Sequence, residues 1–317
     1  MPWWGMALLV LLVLAAGALA LTLAFYRLAL NPKGQKRRVF GASHNAIPRK
    51  EEHKKRAEEA RAWWESIPNE DIFISAYDGL RLHAHCAKNP LDAAPWALIC
   101  HGYTSKGADM FGVARRYNEA GYSVLLPDLR GHGESEGHYI GMGWHDRLDV
   151  LGWIDFILAR EPGARVVLHG ISMGAATVMM AAGEALPENV VAGISDCGFT
   201  SVWAEFSYQL KAIFGLPPFP VMYLADLMTR LRAGYSFREA SAVRQLKKAR
   251  VPLLFIHGTQ DRFVPFFMLD EVYAACASPK DKLAVQGAGH GGAAREAGEA
   301  YWEKVFGFIK AHSSLAG

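Results

Sequence analysis

With 317 residues, 51% of them hydrophobic, the chain can bury a large core, which suits one catalytic-sized domain plus an appendage and excludes a disordered or fibrous protein. The formal net charge of +3 is small and partly clustered behind an N-terminal apolar run, a balance that argues against nucleic acid as a partner. Cys86, Cys100, Cys197 and Cys276 show no CxxC spacing, so they read as buried free thiols in a reducing compartment rather than as a zinc knot or disulfide scaffold.

From Met6 to Leu30 the sequence is apolar except for Arg27, long enough to cross a bilayer, with Trp3, Trp4 and Tyr26 placed as interface aromatics. A cleavable signal peptide competes, since Ala18-Leu19-Ala20 resembles a cleavage site. No Lys or Arg precedes the apolar run, however, and this favours a retained single-pass anchor over residues 1–30. Arg27, Lys33, Lys36, Arg37, Arg38, Arg49 and Lys50 all follow the run, an asymmetry that puts the rest of the chain on the cytoplasmic side. Residues 31–70 read as a juxtamembrane linker and helix. Pro32, Gly34, Gly41 and Pro48 mark the linker, and residues 50–66 form a helix with Glu51–Lys55 and Glu52–Arg56 pairs. Its partial apolar stripe, Ala57, Ala60, Trp63 and Trp64, is expected to pack on the following domain.

Residues 71–317 change pattern, to short apolar runs separated by helical stretches, the signature of a mostly parallel sheet covered on both faces. Strands are expected at Ile72–Ala76, Leu80–Ala87, Ala97–Cys100, Ser123–Pro127, Arg165–His169, Val190–Ser195, Val251–Ile256 and Lys282–Val285. The first two form a hairpin at Asp78-Gly79. Helices are expected at Phe111–Glu119, Trp144–Ala159, Met173–Ala185, Phe266–Ala277 and Ala294–Ala311, giving an eight-stranded α/β architecture with the hairpin at its edge. About residues 203–248, between the sixth and seventh strands, form an insertion too long for a crossover, rich in aromatics and broken by Pro217, Pro218 and Pro220. It reads as a helical lid.

In Gly170-Ile171-Ser172-Met173-Gly174 a buried strand runs into a G-x-S-x-G pentapeptide and then a helix-forming series, the context of a nucleophile elbow. A serine hydroxyl is a poor nucleophile at neutral pH, so Ser172 needs a base and an acid that orients it. His290, in a glycine-rich turn after the last strand, is the candidate base. Asp261, after the seventh strand, is the candidate acid, in preference to Asp196 at the end of the sixth. The backbone amides of Met173 and Tyr103 are the candidate oxyanion donors. Asp128, Arg130 and His132 read as a structural hydrogen-bond cluster. His83 and His85 share one strand face, but without a third ligand no metal is assigned.

Ala97–Tyr103, Pro127–Ser135, His169–Gly174 and His257–Asp261 together resemble the α/β-hydrolase superfamily, over the chain from about Ile72 to its C-terminus. With the N-terminal anchor, Gly-Ile-Ser-Met-Gly-Ala-Ala is similar to bacterial membrane-anchored serine hydrolases of the BEM46 and ABHD-like group. The resemblance implies an α/β-hydrolase fold and cofactor-free hydrolysis of carboxylic esters. An apolar lid and an anchor point to lipophilic acyl or aryl esters, small ester or lipid-like molecules, cleaved through an acyl-Ser172 intermediate. The alternatives are a serine peptidase or amidase using the same triad and a non-catalytic binding protein that retains the fold.

Overall fold

A computed structural model describes residues 2–32 and 50–313. Helix α1 (Trp3–Leu30) has no charged residue except Arg27 near its end, and is long and apolar enough to cross a membrane. Most of the basic residues behind it, Lys33 to Arg49, lie outside the described residues. Helix α2 (Lys50–Ser66) carries the expected Glu52–Arg56 pair at 2.7 Å. Of the expected stripe, Ala60, Trp63 and Trp64 pack on the domain, while Ala57 is exposed. Trp64 is buried and stacks on Phe111, ring centroids 4.4 Å apart and nearly coplanar.

The strands are β1 (Glu70–Ser75), β2 (Arg81–Ala87), β3 (Trp96–Cys100), β4 (Ser123–Pro127), β5 (Val166–Ile171), β6 (Val190–Asp196), β7 (Leu253–Gly258) and β8 (Lys280–Val285). They form one sheet in the order β1-β2-β4-β3-β5-β6-β7-β8. The β1–β2 hairpin and the β2–β4 pair are antiparallel and every later pair is parallel. The runs WALIC and SVLLP are buried at every position, as strands covered on both faces must be.

Helices α3 (Phe111–Glu119), α4 (Asp146–Arg160), α5 (Met173–Ala181), α6 (Val202–Phe214), α7 (Val221–Ala233), α8 (Ala242–Leu246), α9 (Met268–Ala275), α10 (Ala293–Ala297) and α11 (Glu299–Ser313) complete the chain. One apolar layer joins α4, α5 and the α6–α7 insertion to one side of the sheet; the other holds Trp64 of α2, α3 and α11. The helix expected over Met173–Ala185 stops at Ala181. The one expected over Ala294–Ala311 is two helices, split at Gly298, whose φ of +57° and ψ of −129° leave the helical region. The four cysteines are buried and free.

The last turns of α1 are part of the first apolar layer. Thr22, Phe25, Tyr26, Ala29 and Leu30 are buried at a spacing of three or four residues, so one helix face is packed, and α1 is in contact with α7. Phe25 meets Phe206 of α6 edge-on at 5.7 Å.

Candidate active site

The turn between β5 and α5 holds Ser172 at φ +57° and ψ −114°, a conformation that costs a non-glycine residue roughly 1–3 kcal/mol and that the surrounding packing enforces. Gly170 and Gly174 are small because of contact. A Cβ on Gly170 would lie 2.1 Å from the Gly174 carbonyl oxygen, and one on Gly174 would lie 2.1 Å from that of Cys100. A larger side chain at Gly170 would push the start of α5 away from the end of β5, and one at Gly174 would push the elbow off β3.

Three of the expected site residues meet there. Ser172 Oγ lies 2.8 Å from His290 Nε2, and His290 Nδ1 lies 2.7 Å from Asp261 Oδ2. Asp261 Oδ1 accepts from the backbone amides of Phe263 and Val264 at 2.9 and 3.0 Å. Burial pushes the Asp261 pKa up, but hydrogen bonds to His257 and His290 outweigh it and hold the carboxyl well below the usual carboxylate range. Asp196, the rival carboxylate, is bound elsewhere: the Tyr301 hydroxyl donates to its Oδ2 at 2.9 Å, and burial pushes its pKa up to about 6.

Met173 is the first residue of α5, so its amide has no partner inside the helix and sits beside Ser172. Tyr103 follows Gly102, whose α-carbon passes the elbow so closely that a Cβ there would be 3.4 Å from that of Ser172. The Tyr103 hydroxyl has a task absent from the sequence reading: it donates to the carbonyl of Ala29 in α1 at 2.6 Å. The site is thereby tied to the end of the N-terminal helix.

A narrow pocket opens on Ser172, walled by Tyr103, Met142, Phe199, Phe206 and Phe263, with Glu205 and Gln209 as its polar members. Its free volume of about 10 Å³ is room for about one water. Glu205 is fully buried. Gln209 Nε2 donates to its Oε1 at 2.9 Å, while its Oε2 has no hydrogen-bond partner among the described residues. Burial pushes its pKa up to about 8, so it is protonated at neutral pH. Glu205 lies in the insertion between β6 and β7, and the sequence does not mark its place in the pocket. The available signal was its one-turn spacing to Gln209 on an amphipathic helix. His257, 3.3 Å from Asp261 Oδ2, was missed too, although it opens the His257-Gly258-Thr259-Gln260-Asp261 run.

The remaining polar groups have structural partners away from Ser172. Arg130 is buried in a bidentate pair with Asp149 at 2.8 and 2.6 Å, with Asp78 at 2.9 Å. Asp128 accepts from the amides of Gly107 and Glu134, and the His132 ring packs edge-on against His101. Asp128 and Arg130 thus anchor two separate networks. The third partner that His83 and His85 lacked in the sequence is Asp71 on β1, whose Oδ1 lies 3.2 Å from His83 Nε2 and 2.8 Å from His85 Nδ1. Asp128 Oδ2 takes His83 Nδ1 at 2.8 Å. Burial disfavours a charge on His83, but these two carboxylates outweigh it and raise its pKa. The set ties β1 to β2 and the Asp128 loop.

Residues 94–217 match the family described as "Serine aminopeptidase, S33". The uncharacterised protein YqkD of Bacillus subtilis is 31% identical over 193 residues, which span 60% of this chain and 63% of YqkD. The putative esterase YitV of the same organism is 28% identical over 200 residues, 58% of this chain and 75% of YitV. Among solved structures, an esterase of Pyrococcus furiosus superposes with a TM-score of 0.64 at 23% identity, covering 78% of this chain and 92% of the other, a likeness of fold. With its sheet order, its strained serine elbow and the family match across that elbow, the chain has the α/β-hydrolase fold.

Proposed function

We propose that the protein is a serine hydrolase of lipophilic carboxylic esters, held at a membrane by α1 with its catalytic domain on the cytoplasmic side. The observation that carries the reading is the continuous chain from Ser172 Oγ through His290 to Asp261, at 2.8 and 2.7 Å, on a strained elbow. In the reaction, Ser172 Oγ attacks the ester carbonyl carbon while His290 Nε2 takes its proton. Asp261 stabilises the resulting imidazolium and fixes its tautomer. The oxyanion accepts hydrogen bonds from the Met173 and Tyr103 amides. Collapse expels the alcohol, which takes the proton from His290, and leaves acyl-Ser172. Water, deprotonated by His290, then attacks the acyl carbon and releases the acid and free Ser172.

An ester is favoured because the pocket walls are apolar apart from Glu205 and Gln209. The pocket is too narrow for an acyl chain, so the α6–α7 insertion acts as a lid that must shift to admit one. A serine peptidase or amidase is the second reading, favoured by the description of the matched family. Labelling the full chain with a fluorophosphonate tests the nucleophile: the wild type should label and Ser172→Ala should not. A p-nitrophenyl ester series from acetate to palmitate, against aminoacyl amides, then separates the two readings. Ser172→Ala and His290→Ala should lower turnover by about four to six orders of magnitude. Wild-type cleavage of amides alone would overturn the esterase reading, and a Ser172 that does not label would overturn both.

A further inference from the structure

Helix α7 presents an apolar stripe to solvent. Phe219, just before the helix, and Tyr223, Leu227 and Leu231 within it recur every fourth residue, and they are 71, 49, 53 and 79% exposed. Four large apolar side chains on one helix face are more than a monomeric water-soluble surface ordinarily leaves uncovered. The opposite face of α7 is buried, so the stripe is not a consequence of loose packing.

The position of the stripe relative to α1 identifies what covers it. From Trp3 to Leu21 the described side chains of α1 are exposed or half-exposed, and only from Thr22 onward does a face become buried. At about 1.5 Å per residue the exposed stretch is roughly 28 Å long, close to the roughly 30 Å hydrocarbon thickness of a bilayer. A bilayer crossed by that stretch ends where α1 docks on the domain, and α7 packs beside those docked turns. Cations gather at the same level: exposed Arg27 on α1, Arg232 over the Tyr26 ring at 5.4 Å, and Arg238 over the Tyr223 ring at 4.9 Å. An apolar helix face flanked by arginines is the pattern of a helix lying in the interface, among headgroups and upper acyl chains.

We infer that the Phe219–Tyr223–Leu227–Leu231 stripe of α7 is a second membrane contact, seated in the bilayer interface beside α1. The insertion that roofs the Ser172 pocket is then itself in touch with lipid. This rests on the reading of α1 as a membrane helix, and the test separates the two. The native cysteines are buried, so a maleimide fluorophore reports single introduced cysteines. Leu11→Cys, Leu231→Cys and Asp155→Cys, on α1, the stripe and the exposed face of α4, are each labelled in the full chain in phosphatidylcholine/phosphatidylglycerol vesicles. Quenching by doxyl-labelled lipid is compared with quenching by aqueous iodide. The expected result is that the Leu231 label loses emission to doxyl lipid as the Leu11 label does, while the Asp155 label answers only to iodide. If the Leu11 label is quenched by lipid and the Leu231 label only by iodide, α1 is an anchor and the second contact does not exist. If the Leu231 label is shielded from both and transfers energy to a second labelled copy, the stripe is a dimer face and the proposal is overturned. If neither label meets lipid, the anchor reading fails and the inference falls with it.

Discussion

Glu205 is a carboxyl in an apolar pocket with one oxygen unpartnered, and its protonation couples directly to stability. Its pKa rises on folding from 4.5 to about 8, so between those values the folded state holds a proton that the unfolded state has lost. The sign follows: the stabilisation is complete below pH 4.5 and is lost as pH rises through about 8. Glu205→Gln, of the same shape and without a titrating proton, should therefore gain on the wild type between pH 5 and pH 8.5, by on the order of 2–4 kcal/mol. Thermal unfolding of both proteins at the two pH values checks this, since every other titrating group cancels in the difference; a constant gap would mean that the carboxyl ionises freely in the fold. The same residue marks a limit of sequence reading. Ser172, His290 and Asp261 were legible because their motifs sit at strand ends in a fixed order, whereas Glu205 enters the pocket only through the packing angle of α6. Asp196 and Asp261 both end strands, and only the Tyr301 hydroxyl on one and the His290 ring on the other distinguish them.

Among the elements, the strands were the most legible, because a parallel strand covered on both faces writes itself as an unbroken apolar run. Helix ends were less so. The stretch from Ala294 to Ala311 contains Gly298 and Gly307, and nothing local tells which will break it. Gly298 does, with a positive φ, while Gly307 stays inside α11. The position of α2 also needed tertiary information, although its Trp63-Trp64 pair announced an apolar face. Trp64 is buried on Phe111, whereas Trp63 is only partly covered. Trp64→Ala should therefore cost about 3–5 kcal/mol and Trp63→Ala distinctly less, read from the denaturant midpoints of the two variants. Equal, small losses would show that α2 is dispensable to the core.

At the scale of the whole molecule, the sequence draws a boundary at Leu30, between anchor and enzyme, and the packing draws it some ten residues earlier. Phe25, Tyr26, Ala29 and Leu30 lie in the same apolar layer as the elbow helix α5, and the Ala29 carbonyl holds the Tyr103 hydroxyl beside the pocket. Periodicity could not reveal this, because an apolar helix looks alike whether lipid or protein covers it. Fully burying a large apolar side chain contributes about 1.5–3 kcal/mol, so Phe25, Tyr26 and Leu30 together supply roughly 5–8 kcal/mol, comparable with the whole stability of many domains. Two truncations then behave differently. Removing residues 1–20, the point at which a peptidase reading Ala18-Leu19-Ala20 would cut, leaves the docked turns in place and should preserve the thermal unfolding transition and fluorophosphonate labelling of Ser172. Removing residues 1–32 takes the docked turns as well. The second variant should lose most of its stability and its labelling, since the packing of Phe206 and the hydrogen bond of Tyr103 both end on residues that are gone. If instead both variants unfold and label alike, the end of α1 belongs to the membrane alone, and the pocket wall stands without it.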